Sequence, residues 1–342
     1  MREYTSIIRW AALACCFAAH AIAAEQQAVL KTEWVYEQAP FPQCHASTIA
    51  QTPEGLLAAW FGGSREGQKD VGIWLSHNQS GKWSPPVQVA NGHSDDDALY
   101  PCWNPVLFQQ PNGPLVLFYK VGPSPDAWWG MRLTSDDAGK TWSKPQRLGR
   151  GILGPIKNKP ILLNDASLLC GSSTEHDGWK VHLELTTDLG NTCQKTAPAA
   201  GAEPFAAIQP TLLAWPSGKI QILCRSRQRA IVQSWSDDAG KTWAALSRTN
   251  LPNPNSGIDA LMLRQGFALL VYNHTLTGRS PLNLAFSKDG IKWTPGPVLE
   301  TEPGEYSYPA IIQTTDGLVH ITYTWKRQRI KHVVIDPDKL PQ

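Results

Sequence analysis

Ser135-Asp136-Asp137-Ala138-Gly139-Lys140-Thr141-Trp142 and Ser236-Asp237-Asp238-Ala239-Gly240-Lys241-Thr242-Trp243 are two copies of one pattern, S-x-D-x-G-x-T-W. The pattern describes a hairpin turn. An Asp carboxylate accepts hydrogen bonds from nearby backbone N–H groups, and Gly takes the φ > 0 position. The closing Trp covers apolar surface beside the strand. Thr186-Thr187-Asp188-Leu189-Gly190-Asn191-Thr192-Cys193 keeps the frame with Cys for Trp; residues 287–293 are one residue short, and residues 76–83 are a degraded copy.

A second element repeats in step with the first. His45, Asn104, Lys159, Gln209, Asp259 and Tyr308 each lead an apolar strand, as in Asn104-Pro105-Val106-Leu107-Phe108 and Tyr308-Pro309-Ala310-Ile311-Ile312. A turn and further strands follow each one. The steps between these leading residues are 59, 55, 50, 50 and 49, and a period of about 50 fits a four-stranded propeller blade. The expected fold is all-β, a six-bladed β-propeller. Five hairpin boxes serve six units because the last unit runs out of chain after three strands. Its fourth strand is expected from Val29-Leu30-Lys31-Thr32-Glu33-Trp34-Val35-Tyr36, which alternates as a strand should. The N-terminal strand then closes the ring without an open seam.

Composition agrees with many short strands: 342 residues, 15 of them Trp, with 27 Gly and 27 Pro. A formal net charge of +2 gives no electrostatic reason to expect a nucleic-acid or membrane-surface partner. Arg2 and Arg9, an apolar run, and Ala21-Ile22-Ala23 read as a signal peptide over residues 1–23, leaving residues 24–342 as one propeller domain. No later run reaches the ~18 apolar residues of a membrane span, so the mature chain is expected to be secreted or periplasmic. Cys44, Cys102, Cys170, Cys193 and Cys224 remain after cleavage; an odd number leaves at least one thiol free, and buried small-residue roles are expected for most. No spacing suggests zinc, and nothing requires a cofactor. The oligomeric state stays open.

In a propeller, loops at the start of the innermost strands reach the mouth of the central channel. The leading residues His45, Asn104, Lys159, Gln209, Asp259 and Tyr308 thus form a polar column, read either as ligand-binding residues or as a mutually bonded channel wall. Mouth loops add Arg65 and Asp70, the pair Trp128-Trp129, Glu175, and Arg225 with Arg227. Paired Trp residues suit stacking on a sugar ring, and simple packing equally well. The run Lys326, Arg327, Arg329, Lys331 reads as a solvated hairpin.

The hairpin boxes are the Asp boxes of the sialidase and BNR-repeat families, which the chain resembles over residues 40–336. The resemblance implies a retaining hydrolase of terminal sialic acid with a Tyr nucleophile, since the substrate's own carboxylate repels an anionic one. A Glu partners that Tyr, an Asp is acid/base, and three Arg grip the carboxylate. Tyr306, in Glu305-Tyr306-Ser307, resembles the nucleophile. Arg279 resembles the third Arg, and Arg225 the second, with Arg227 competing. Asp70 occupies the loop of the acid/base.

Two positions depart from that family. Its first Arg falls where this chain has Cys44-His45-Ala46, and its Glu falls on Gln209-Pro210. A neutral His offers no bidentate fork, and an amide cannot accept the Tyr proton. Glu203 and Glu175 are the carboxylates left to reach in. Three readings follow: an exo-glycosidase acting on terminal sialic acid or another acidic sugar; a uronate lyase, with His45 and a Tyr moving the proton and Arg225, Arg279 and Lys159 holding the carboxylate; or a non-catalytic glycan-binding propeller.

Overall fold

The computed structural model describes residues 28–93 and 98–340; the expected signal peptide lies outside them. Six antiparallel sheets make up the structure. The second blade shows the plan: Cys102–Gln109, Leu115–Val121, Trp129–Ser135 and Gln146–Arg147 pair in sequence order, inside to outside. Blades pack face to face, so second strands are covered on both sides. Leu115–Val121 is buried throughout and reads as an almost unbroken apolar run, as a doubly covered strand must.

The ring closes as the strand count requires. Val29–Trp34 pairs antiparallel with Arg329–Ile335, with Glu33 opposite His332, and completes the sheet of Tyr306–Gln313 and Val319–Trp325. Polar contacts add to the seam. His332 lies 2.9 Å from Glu33 through Nδ1 and 2.9 Å from His320 through Nε2, and Trp83 Nε1 donates to Glu33 at 3.1 Å.

Each Asp box is a bonded hairpin. Asp137 Oδ1 accepts from Thr141 N at 2.9 Å, Oδ2 accepts from the Thr141 hydroxyl at 2.6 Å, and Ser135 Oγ accepts from Gly139 N at 2.8 Å. Asp238 repeats this with Thr242, Ser236 and Gly240. Gly139 and Gly240 have φ of 88° and 85°, a region that suits glycine. These hairpins join third and fourth strands, at the opposite end of the blade from the mouth.

Four inner strands carry a β-bulge at the mouth end, between His45 and Thr48, Trp103 and Val106, Ile208 and Thr211, and Ser307 and Ala310. The bulge residues Ala46, Asn104, Gln209 and Tyr308 all have positive φ, from 37° to 57°. Three of them precede a Pro, which has no N–H to lose from the ladder. This corrects the register of the polar column: Ala46 is the counterpart of Asn104, Gln209 and Tyr308, and His45 stands one residue ahead of it.

Below the mouth the channel is knotted by Asp259, which is 1% exposed. Its Oδ1 accepts from Thr211 Oγ1 at 2.7 Å and Ala260 N at 2.9 Å; its Oδ2 accepts from Lys159 Nζ at 2.9 Å and Ile311 N at 3.0 Å. One carboxylate therefore joins strands of the fourth, fifth and sixth blades to the segment entering the third. Asp259 and Lys159, expected among substrate-binding residues, are engaged with each other as channel wall. Asn104 is likewise buried at its bulge.

Among the described residues all five cysteines are free, four buried and Cys193 half-buried.

Replacing Asp259 with Ala strands Lys159 and three further donors, and is expected to lower unfolding free energy by about 3–5 kcal/mol, read from urea denaturation. At the seam, burial alone would raise the Glu33 carboxyl, but His332 and Lys31 bring it down from 4.5 to about 2. A depressed carboxyl stabilises the fold above its unfolded value and loses that contribution as pH falls through the folded one. The melting temperature of the Glu33→Gln variant should therefore fall less than the parent's between pH 4.5 and 2.

Candidate functional site at the channel mouth

Tyr308 is the centre of the mouth. The bulge gives it φ 52°, a strained setting for a bulky residue that it shares with the other inner-strand bulges. Its phenol oxygen accepts from Arg225 Nη1 at 2.9 Å and Gln209 Nε2 at 3.2 Å. Arg225 is fixed from behind, with Nε donating to Asn255 Oδ1 at 3.0 Å and Nη2 to Asn255 O at 2.6 Å. Gln209 Oε1 accepts from the same guanidinium at 3.3 Å. Phenol, amide and guanidinium form a closed triangle.

His45 packs on the Tyr308 ring with centroids 4.2 Å apart. Its Nδ1 lies 3.1 Å from Thr324 Oγ1, which also accepts from Ala46 N at 3.1 Å. Burial first, and then the charges of Arg327, Arg279, Arg225 and Lys157, hold the imidazole well below its ordinary value, hence neutral. Arg225, Arg279 and Lys157 each lie 5.8 Å from the Tyr308 ring centroid.

Two of these cations were not singled out by the sequence. Lys157 is buried and donates to Asn158 Oδ1 at 2.8 Å, Ile258 O at 3.1 Å and Pro309 O; burial lowers its ammonium to about 7. Arg327 belongs to the hairpin read as solvated. The hairpin turns through positive φ at Lys326 and Arg327 and brings Arg327 over a crevice shared with His45, Phe61 and Glu66. Arg327 thus covers the place where the expected first Arg is replaced by His45.

Glu305 sits between two guanidiniums, 2.6 Å from Arg279 Nη1 and 2.9 Å from Arg327 Nε, with Glu66 on the far side of Arg327. Burial would raise its carboxyl, but the two arginines hold it below the ordinary value. Glu175 behaves oppositely: burial raises it, against the lowering effects of Arg225, the Trp179 indole and Arg227, and Asp126 raises it further. Trp179 carries Arg225 at 5.2 Å and Arg227 at 4.5 Å from its ring centroid.

Other expected residues lie elsewhere. Tyr306 is 1% exposed and packs in the core among residues such as Leu282, Ile321 and Tyr323, so it does not reach the mouth. The tyrosine at the mouth is Tyr308, aligned with Gln209 by the shared bulge and following Pro. Asp70 is exposed, and both its oxygens accept from Ser64, through N at 2.9 Å and Oγ at 2.8 Å. Arg65 is exposed on the same loop. Trp129 is partnered by Arg147 at 4.7 Å and by the edge of Tyr100 at 5.3 Å. Glu203 is exposed beside a hollow next to Trp179.

Residues 54–321 match the family described as BNR repeat-like domain. The sequence matches none of the curated proteins with which it was compared. Its fold is similar to a crystal structure of a protein of unknown function from Dyadobacter fermentans, at 17% identity and a TM-score of 0.74, over 90% of this chain and 98% of that one. It is also similar to the NanB sialidase of Streptococcus pneumoniae, at 10% identity and 0.72 over 92% and 71%. A third is the intramolecular trans-sialidase of Ruminococcus gnavus, at 12% identity and 0.70 over 91% and 98%.

Thr324→Val keeps shape but leaves Ala46 N–H and His45 Nδ1 without their shared partner. It is expected to cost about 1–3 kcal/mol, measured by urea unfolding, with no change in far-ultraviolet circular dichroism.

Proposed function

The chain belongs to the sialidase/BNR-repeat superfamily, and we propose that it is a glycoside hydrolase that removes a terminal acidic sugar from glycans, with Tyr308 as nucleophile. The observation carrying this reading is that Arg225 hydrogen-bonds the Tyr308 phenol and Arg279 lies by its ring, with Arg327 joined to Arg279 through Glu305 and lying beside His45. Three guanidiniums favour an anionic ligand. A neutral phenol can approach an anomeric carbon that bears or adjoins a carboxylate.

In this reading the Tyr308 oxygen attacks the anomeric carbon while the bond to the leaving oxygen breaks. Charge appearing on the phenol oxygen meets the Arg225 guanidinium, which Asn255 already fixes in place, so little reorganisation is needed. The phenol proton leaves to water as the bond forms: Arg225 and Gln209 both donate to that oxygen, and His45 touches the ring rather than the hydroxyl. Glu175, which hydrogen-bonds the Trp179 indole next to Arg225 and whose carboxyl burial raises, is the candidate to protonate the leaving oxygen; Asp70 is held by Ser64 in its own loop. Water then releases the sugar. Arg279 and Arg327 grip the substrate carboxylate, oriented by Glu305. The leader read at residues 1–23 would carry the enzyme out of the cytoplasm to such glycans.

A second reading rests on Gln209 and on the neutral His45 against Tyr308. In a uronate lyase His45 and Tyr308 would move the proton beside the carboxylate and onto the leaving oxygen, with Gln209 only hydrogen-bonding the sugar, giving an unsaturated product.

Assay on a chromogenic sialoside and on a uronate-containing polysaccharide separates the two. Under the hydrolase reading Tyr308→Phe loses activity by on the order of 10³-fold or more, Tyr306→Phe stays within about 3-fold, and Gln209→Glu raises turnover. Ultraviolet absorbance from an unsaturated uronate would favour the lyase. Activity surviving Tyr308→Phe would remove the nucleophile role.

A further inference from the structure

Trp179 stands at the edge of the mouth, at the end of the loop between Leu168–Thr174 and Lys180–Thr186. It is half-buried, bears the guanidiniums of Arg225 and Arg227 on its ring, and still borders a hollow of about 360 Å³ running outward between the third and fourth blades. Pro204, Phe205 and Leu246 give that hollow an apolar wall, and Lys180 and Glu203 stand at its rim. Phe205 and Leu246 are seated on the buried cluster of Val181, Ala207 and Trp243, so the wall is preformed. The volume falls within the roughly 300–1,000 Å³ of small-ligand sites.

We propose that this hollow is a second sugar subsite, which takes the neutral ring next to the acidic one, with Trp179 as its platform. The assignment rests on the hydrolase reading for the identity of the neighbouring sugar. Continuity comes through Arg225, which touches both the Tyr308 oxygen and the Trp179 ring. The charge pattern selects the ligand. The mouth gathers cations, whereas the hollow pairs one base with one acid over an apolar wall, which suits an uncharged, polyhydroxylated ring with one apolar face. Arg227 pins the indole and is itself exposed to donate to hydroxyls. The substrate is therefore at least a disaccharide.

The test uses the mature protein and its Trp179→Ala and Trp179→Phe variants. Kinetics are compared on two substrates with the same acidic sugar, one with a nitrophenyl leaving group and one attached to lactose. The subsite predicts that Trp179→Ala lowers kcat/KM at least 10-fold more on the lactose-linked substrate than on the nitrophenyl one, and that Trp179→Phe recovers that loss. An equal fall on both would make Trp179 only a support for Arg225, and would overturn the proposal. Saturation-transfer NMR with lactose alone provides a readout independent of turnover: signal in the parent that is lost in Trp179→Ala supports the subsite. No signal in the parent overturns it. Lactose binding without turnover of either substrate would retain the subsite and remove the hydrolase reading.

Discussion

The mouth depends on one strap, Lys157-Asn158-Lys159, buried at its first two residues and bonded to the fourth, fifth and sixth blades. Lys157 donates to Ile258 O and Pro309 O, Asn158 Nδ2 to Gln209 O at 3.1 Å, and Lys159 to Asp259 and Ala260 O. Two of these acceptors matter most for chemistry. Gln209 and Tyr308 hold positive φ, and the strap takes the carbonyl of Gln209 itself and of the Pro that follows Tyr308. Their strain is thus supported from beneath by hydrogen bonds in a dry interior, where a lost partner is costly. Buried Lys157 is tolerated because carbonyls meet its ammonium, and half-buried Lys159 is met by Asp259.

From that base the electrostatics of the mouth follow. A ring of blades brings chain segments far apart in sequence to one axis, so Arg225, Arg279, Arg327 and Lys157 converge without being neighbours in sequence. Burial, and then their combined field, keep His45 neutral. Glu305 offsets part of the charge and orients two of the guanidiniums. The result is a site that favours an anion but presents uncharged groups, Tyr308, His45 and Gln209, at its centre.

The fold was legible because its signals are local and repeated. The boxes at Ser135 and Ser236 fix a hairpin by their own hydrogen bonds, and their spacing reports the blade. Closure by Val29–Trp34 followed from counting strands. The site was less legible. His45 was placed one residue off because the first blade has Ala46 at the bulge with no following Pro, whereas Asn104, Gln209 and Tyr308 all precede one. That same dipeptide was the available signal for Tyr308 over Tyr306; a bulge decides which of two nearby tyrosines faces the core, and the Tyr-Ser context does not report it. Arg327 was hidden in a basic run whose appearance is that of any solvated hairpin until the turn at Lys326 folds it over the mouth. Lys157 carried no signal, since its burial depends on the strap's path through a channel that five other blades create.

Covalent trapping tests the central claim most directly. A fluorinated glycosyl fluoride of the acidic sugar slows release of a glycosyl-enzyme and leaves the nucleophile labelled, so the digested protein can be mapped by mass spectrometry. The account predicts one adduct, on the peptide containing Tyr308 and at its phenol oxygen. An adduct on Tyr306 or Glu175, or turnover of the reagent with no covalent intermediate, would contradict it.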